Sequence, residues 1–283
     1  MARDFHERFQ VARDVFAEAS DALGLDVASL CFEEDPRLDM TEFTQAAILT
    51  TEIAMTRALE KELGLIATYF GGHSLGEYAA LCASGAMPLE VAVRIVSQRG
   101  ALMQAAAPAG KGAMVAAIGE GIGELDLRPA LEGVEVDVAN RNSRNQIVLS
   151  GLASDMDLAC AKVREAVGAP IELVPLTVSA PFHSRHMRAV ELEFRGLLES
   201  MGPRLVAPRA RCVTANFTGG FHTGELGDLI DSLTRQISGV VDWIANMNAL
   251  GNVADRILEV GPNRPLRGFF KTTGLEITSI VSL

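Results

Sequence analysis

The tightest constraint in this sequence lies between residues 65 and 83. Leu65 to Phe70 is a short, largely apolar run that ends on Gly71-Gly72, which predicts a buried strand entering a sharp turn. Leu75 to Ala83 then predicts a helix. Between them stands Gly72-His73-Ser74-Leu75-Gly76, a Gly-x-Ser-x-Gly pattern in a strand–turn–helix context. Small residues on either side of Ser74 permit a tight, strained turn that lifts a hydroxyl out of a sheet. The helix behind it aims free N–H groups at the same place. The pattern points to an α/β architecture and makes Ser74 a candidate nucleophile.

The rest of the chain agrees with that architecture. Phe5, Phe9, Ala12, Phe16 and Ala19 recur at helical spacing, and a second long helix is predicted from Thr41, as N-cap, to Leu63. Pro88 is placed to start a helix that runs to about Ala107. The middle third changes character: strands are predicted at Gly112–Ile118, Val134–Val138, Gln146–Ser150 and Ile171–Leu176, with helices at Leu125–Leu131 and Ala153–Val167. That β-α-β-β-α-β order is the split βαβ of a ferredoxin-like unit. The expected organisation is one α/β domain with a mainly parallel sheet, formed by 1–111 and 177–283, carrying an inserted small subdomain at 112–176. In the last third, helices are predicted at Arg188–Met201, Leu226–Gln236 and Asp242–Leu250, and strands at Arg211–Ala215, Arg256–Val260 and Glu276–Val281.

Composition narrows the class of function. The 283 residues hold 25 basic and 36 acidic side chains, net −11, with 48% apolar residues. That is a globular composition with a large core, and its sign argues against a nucleic-acid backbone as partner. Cys31, Cys82, Cys160 and Cys212 are widely scattered, with no Cys-x-x-Cys pair, so neither a metal site nor a disulfide framework is expected. The polar opening Met1–Gln10 is not a signal peptide, and no apolar run is long enough to span a membrane, so a cytoplasmic protein is expected.

A serine nucleophile needs a base. His6 lies on a polar helix face, His73 is locked in the turn beside Ser74, and His222 sits in a Gly/Thr-rich loop expected at the surface. His183 and His186 remain. His183 follows Pro181, which stiffens its loop, and the Ser…His order suits a dyad. No acidic residue downstream stands out as a third member. Arg99, in Gln98-Arg99-Gly100, would need a partner if buried, and a carboxylated substrate is an economical one.

Four segments occur in order: Gly72-His73-Ser74-Leu75-Gly76-Glu77-Tyr78, Gln98-Arg99-Gly100-Ala101-Leu102-Met103, Pro181-Phe182-His183-Ser184 and Glu259-Val260-Gly261-Pro262. Together they closely resemble the malonyl-CoA:acyl carrier protein transacylase family, including the stand-alone acyltransferases of fatty acid and polyketide synthesis. The resemblance covers essentially the whole chain. It implies an α/β-hydrolase-like large subdomain with a ferredoxin-like insert, and transfer of malonyl from malonyl-CoA to the phosphopantetheine thiol of an acyl carrier protein through a malonyl-serine. It implies Ser74 as nucleophile, His183 as general base, Arg99 on the malonyl carboxylate and the Leu75 N–H as an oxyanion donor. It further implies Gln236 beside the carbonyl that orients the histidine, Asn140 near the bound acyl-CoA, and Leu75 with Phe182 as a malonyl-selective pair. No cofactor and no metal are implied, and a monomer is the simplest expectation.

The resemblance also implies a first strand and a Gly-Gln-Gly-Ser-Gln turn that this chain does not carry before its first helix. An incomplete N-terminus is therefore expected, and restoring it should raise malonyl transfer strongly, since one oxyanion donor is typically worth about 10²–10³ in rate. Two alternatives stand beside the transferase reading: an acyl-thioester hydrolase of the same fold, or a catalytically impaired scaffold. Finally, residues 1–200 hold 17 basic against 29 acidic side chains and residues 201–283 hold 8 against 7. An acidic carrier protein is therefore expected to dock near Arg204, Arg235, Arg264, Arg267 or Lys271.

Overall fold

The computed structural model describes residues 1–107, 110–178 and 180–283, so Ser179, at the head of the predicted His183 loop, lies outside the described residues. The chain opens with α1 (Arg3–Arg8) and α2 (Gln10–Leu23), where one continuous helix is predicted. Phe9 adopts an extended conformation between them, and the Arg13 guanidinium donates to the carbonyls of His6 and Glu7 that the break leaves open. Helix α3 (Val27–Phe32) follows, capped by Asp26, whose carboxylate accepts from the Ser29 N–H. Helix α4 (Thr41–Leu63) has the predicted limits, with Met40 rather than Thr41 in the cap position, and stops at the left-handed Gly64. Helices α5 (Gly76–Ala83) and α6 (Leu89–Ala105) complete the first part. Helices α2, α4 and α6 pack on one another around Phe5, Phe16, Leu49, Ile53 and Met55, all fully buried.

The middle section is β1 (Gly112–Ile118), β2 (Val136–Ser143), β3 (Gln146–Leu152), α7 (Ala153–Val167) and β4 (Glu172–Pro175). Its strands pair antiparallel in the order β4-β1-β3-β2, the ferredoxin-like arrangement. Val115, Ala117, Val136, Ile147 and Leu149 face Met156, Ala159 and Val163 of α7 in a separate apolar cluster. Leu125–Leu131, predicted as a helix, forms turns instead. Pro129 brings no N–H to a run too short to nucleate alone, and the Asp126 carboxylate takes the Arg128 N–H locally.

The third section holds α8 (Glu191–Met201), α9 (Leu226–Gln236), β5 (Val241–Asp242), α10 (Trp243–Gly251), β6 (Ile257–Val260), α11 (Leu266–Phe270) and β7 (Ile277–Ile280). Parallel pairing is present in β6 with β7, in β5 with β2 and in a bridge between Phe70 and Val213. The strand predicted at Leu65–Phe70 is thus reduced to one bridge residue. Ile66 is 89% exposed; among the described residues the segment pairs only at Phe70, whose N–H donates to Cys212 and whose carbonyl accepts from the Thr214 N–H. The strand predicted at Arg211–Ala215 is likewise shortened, since a 3-10 helix occupies Ala207–Cys212. The result is a mixed α/β fold of two subdomains.

Candidate active site

Ser74 stands on the turn between the Phe70 bridge and α5, with φ +51°, the left-handed region that few side chains adopt. The requirement for small flanking residues falls on Gly72. A Cβ there would lie 2.1 Å from the Gly76 backbone, whereas one on Gly76 would meet nothing within 4 Å. The first turn of α5 closes tightly: the Gly76 N–H donates to His73 and the Tyr78 N–H to Leu75. Among the described residues no acceptor takes the Leu75 N–H, which leaves it for an acyl oxygen beside Ser74.

His183 is also left-handed, at φ +56°. Its loop approaches β1 so closely that a Cβ on Gly112 would sit 2.3 Å from Pro181 Cδ. Inside the loop the Phe182 N–H donates to Ala180 and the Ser184 hydroxyl to Pro181. His183 Nδ1 lies 2.7 Å from the Gln236 carbonyl, and Nε2 lies 2.7 Å from Ser74 Oγ. A carbonyl can only accept, so Nδ1 carries the proton and Nε2 presents its lone pair to the serine hydroxyl. Burial, with a further push from Arg99, drives the His183 pKa down to about 3, so the imidazole stays neutral at physiological pH.

Arg99 is 1% exposed. It donates to Gln45 Oε1 at 2.7 Å, to Gln236 Oε1 at 3.0 Å and to Ser74 Oγ at 3.1 Å, and lies over the Tyr78 ring. Its Nε has no partner among the described residues, and burial pulls its pKa down from the ordinary value. A buried guanidinium with spare donors beside a serine hydroxyl has the chemistry to take a carboxylate. The fold therefore brings together Ser74, His183, Arg99 and Gln236, as predicted, with Leu75 and Phe182 adjacent to the first two. Phe182 packs between the main core and the Met114, Ala116, Ala139 and Val148 cluster. Asn140 is buried on β2, with no hydrogen bond to these four. Asn142, two residues further along β2, reaches the turn beside Ser74 instead, with Oδ1 2.8 Å from His73 Nε2.

Several residues that hold the site escaped sequence reasoning. Gln45 has only its place on a long helix to mark it. Asn216 Oδ1 accepts from the Ser74 N–H at 2.6 Å, while its Nδ2 donates to the Gly72 carbonyl and to Asn246 Oδ1. Glu77, fully buried, accepts from the Asn216 N–H, from Gln236 Nε2 and from His222 Nε2. The surface position expected for His222 is overturned: it is 6% exposed, because Thr214 and Phe221 pair across a tight turn that folds the loop inward. His6 is also not simply solvated, since it packs edge-on against Phe16 and Phe32. Among the described residues no group of three or more His, Cys, Asp and Glu is placed to hold a metal ion, and no helix is long and apolar enough to cross a membrane.

Comparison with known proteins gives one answer. The acyl transferase domain family matches residues 1–213. The malonyl CoA-acyl carrier protein transacylase of Bacillus subtilis is 34% identical over 287 residues, spanning 99% of this chain and 88% of the relative. The crystal structure of the corresponding Clostridium perfringens protein superposes with a TM-score of 0.87 at 32% identity, covering 100% of this chain and 89% of that one. A malonyl-transacylase solved in complex with a type II polyketide acyl-carrier protein superposes at 0.86 with 29% identity, covering 99% and 91% of the two chains.

Proposed function

The chain belongs to the acyl transferase domain family, and from that premise we propose that it transfers malonyl from malonyl-CoA to the phosphopantetheine thiol of an acyl carrier protein. The observation that carries the reading is the buried Arg99 guanidinium, within hydrogen-bond reach of the same oxygen that His183 addresses. Ser74 Oγ attacks the thioester carbonyl as its proton passes to His183 Nε2, and the oxyanion turns to the Leu75 N–H. The C–S bond breaks and the CoA sulfur leaves with the proton from His183. The malonyl carboxylate meanwhile rests on Arg99, which holds the short acyl chain in register with the nucleophile. In the second half the pantetheine thiol gives its proton to His183 and attacks the ester, and Ser74 recovers its proton as it leaves. Every group required is a side chain or backbone amide, so the reading includes no cofactor.

Docking follows from charge. Of the five basic residues expected to meet an acidic carrier, Arg204 is engaged by Glu90, and Arg235 by Asp231 and the Phe217 ring. Arg264, Arg267 and Lys271 are exposed and enter no ion pair among the described residues. They lie on or beside α11, whose Phe269 ring lies 6.3 Å from that of His73, so a carrier seated there reaches the nucleophile turn. The unit at 112–176 acts in this reading as a separate subdomain that covers the site. The reading also includes a monomer in the cytoplasm, where the four unpaired cysteines would stay reduced.

The test is incubation with malonyl-CoA and intact-mass analysis. An adduct of about 86 Da on Ser74, the formula increment of a malonyl ester, is expected and should disappear on adding a carrier protein in its thiol form. Absence of the adduct, or its release to water alone, would refute the transferase reading.

A further inference from the structure

Beneath the nucleophile turn three hydrogen-bond donors converge on one carboxylate. Glu77 Oε2 accepts from the Asn216 N–H at 3.0 Å and from Gln236 Nε2 at 2.7 Å, and Oε1 accepts from His222 Nε2 at 2.9 Å. The side chains of Glu77 and His222 are 0% and 2% exposed. A carboxylate is the one group here that satisfies all three, since it only accepts. Each of the first two donors leads straight to the reacting groups. Asn216 holds the Ser74 N–H and the Gly72 carbonyl, on either side of the turn. The Gln236 amide joins Glu77 to Arg99, donating to the anion while its Oε1 accepts from the cation at 3.0 Å, and its backbone carbonyl fixes His183. The third donor, His222, touches none of these groups. Its place is set by the turn from Thr214 to Phe221 and by the His222 N–H donating to Val213.

Resting on the function proposed above, we infer that His222 is a positioning residue for acyl transfer, acting through Glu77. With Oε1 held by His222, Oε2 faces Asn216 and Gln236 together. Without that donor the carboxylate is left with an unpaired buried oxygen, and it regains a partner only by rotating away from one of the other two. Rotation would leave the Gln236 amide held only by the Ser74 carbonyl and Arg99, without its shortest bond, and Arg99, Ser74 and His183 would lose their common alignment. Lost alignment and lost stability leave different marks: the folded enzyme lacking this donor acylates slowly at every site, rather than normally at fewer sites.

Single-turnover acylation with saturating malonyl-CoA distinguishes the two, because it yields both a rate constant and the fraction of chains acylated at completion. His222→Phe keeps an aromatic ring, somewhat larger, and removes the donor. Its rate constant is expected to fall about 10–100-fold, with the acylated fraction unchanged. His222→Gln places an amide N–H near the original Nε2 and is expected to recover most of the lost rate. A wild-type rate constant in the Phe variant, or a reduced fraction with an unchanged rate constant, would overturn the inference. Should Phe prevent folding, His222→Asn replaces it as a polar side chain too short to reach Glu77. It should be slower than His222→Gln at equal acylated fraction, and equal rates would count against the inference. If wild-type Ser74 takes no malonyl, the functional reading fails instead, and fluorophosphonate labelling of Ser74 ranks the same variants. Equal labelling rates there would also overturn the positioning role.

Discussion

Ser74 and His183 share a left-handed backbone and face one another, yet they are held in opposite ways. The serine is fixed from outside its own segment: the Asn216 side chain takes its N–H, the Gln236 side chain its carbonyl, and Glu77 ties both together. The histidine is fixed mainly by its own loop. Ser184 and Pro181 close that loop, and Arg185 pins it to the small sheet by donating, through guanidinium and N–H, to Asp137. The ring itself is oriented at Nδ1 by the Gln236 carbonyl, with Nε2 left to face the Ser74 hydroxyl. The nucleophile's geometry therefore depends on distant side chains that substitution can remove, while the base's geometry depends on a backbone group that it cannot.

That contrast can be broken in a graded way. Arg99→Ala removes the cation that both residues serve and should cost malonyl loading about 10²-fold in kcat/KM, the effect of losing a buried charge partner of about 3 kcal/mol. Acetyl loading, which has no carboxylate to lose, should fall far less, and equal losses would refute the carboxylate site. Asn216→Ala leaves the Ser74 N–H and the Gly72 carbonyl without partners. About 1–3 kcal/mol of stability should go, seen as a lower Tm, along with a roughly tenfold slower acylation. Asp137→Ala cuts the tie to the His183 loop. Both partners of that ion pair are partly exposed, so a loss of at most about 1 kcal/mol is expected, with kcat reduced only a few-fold. A larger effect than that of Asn216→Ala would reverse the contrast drawn above.

Acid supplies a fourth probe. Burial, then the Arg99 charge, holds the His183 pKa at about 3, against 6.5 when unfolded. The unfolded chain then binds the extra proton first, so this residue's contribution to stability is complete above pH 6.5 and is lost as pH falls toward 3. The acid limb of kcat/KM should accordingly lie well below pH 6 in wild type. Arg99→Ala should move it upward, and an unmoved limb would remove Arg99 as a cause.

Much of this site is legible in the sequence because its signals are local. The Gly-x-Ser-x-Gly turn, the helix carrying Arg99 and the Pro-stiffened loop of His183 each declare themselves within a few residues. The limits of α4, α7 and α9 follow from apolar periodicity with glycine stops at Gly64 and Gly168. What escaped is non-local. His222 sits among glycines and threonines that normally mark a surface loop, and only the pairing of Thr214 with Phe221 turns it inward. Glu77 looks like a first-turn residue suited to a helix dipole, yet it is buried beneath the turn. Leu65–Phe70 fails in the other direction: its apolar run predicts burial, but a strand is buried by neighbours on both edges, and here, among the described residues, Phe70 alone is paired.

The bond from Arg99 to Ser74 Oγ has a consequence for selectivity in time as well as in space. In the resting enzyme the guanidinium draws on the lone pairs of the oxygen that must attack, so the hydroxyl is guarded while the pocket is empty. In the proposed function an arriving malonyl carboxylate would offer Arg99 a better acceptor and free the serine oxygen as the acyl group is seated. One guanidinium would then both receive the carboxylate and set when its neighbour can attack.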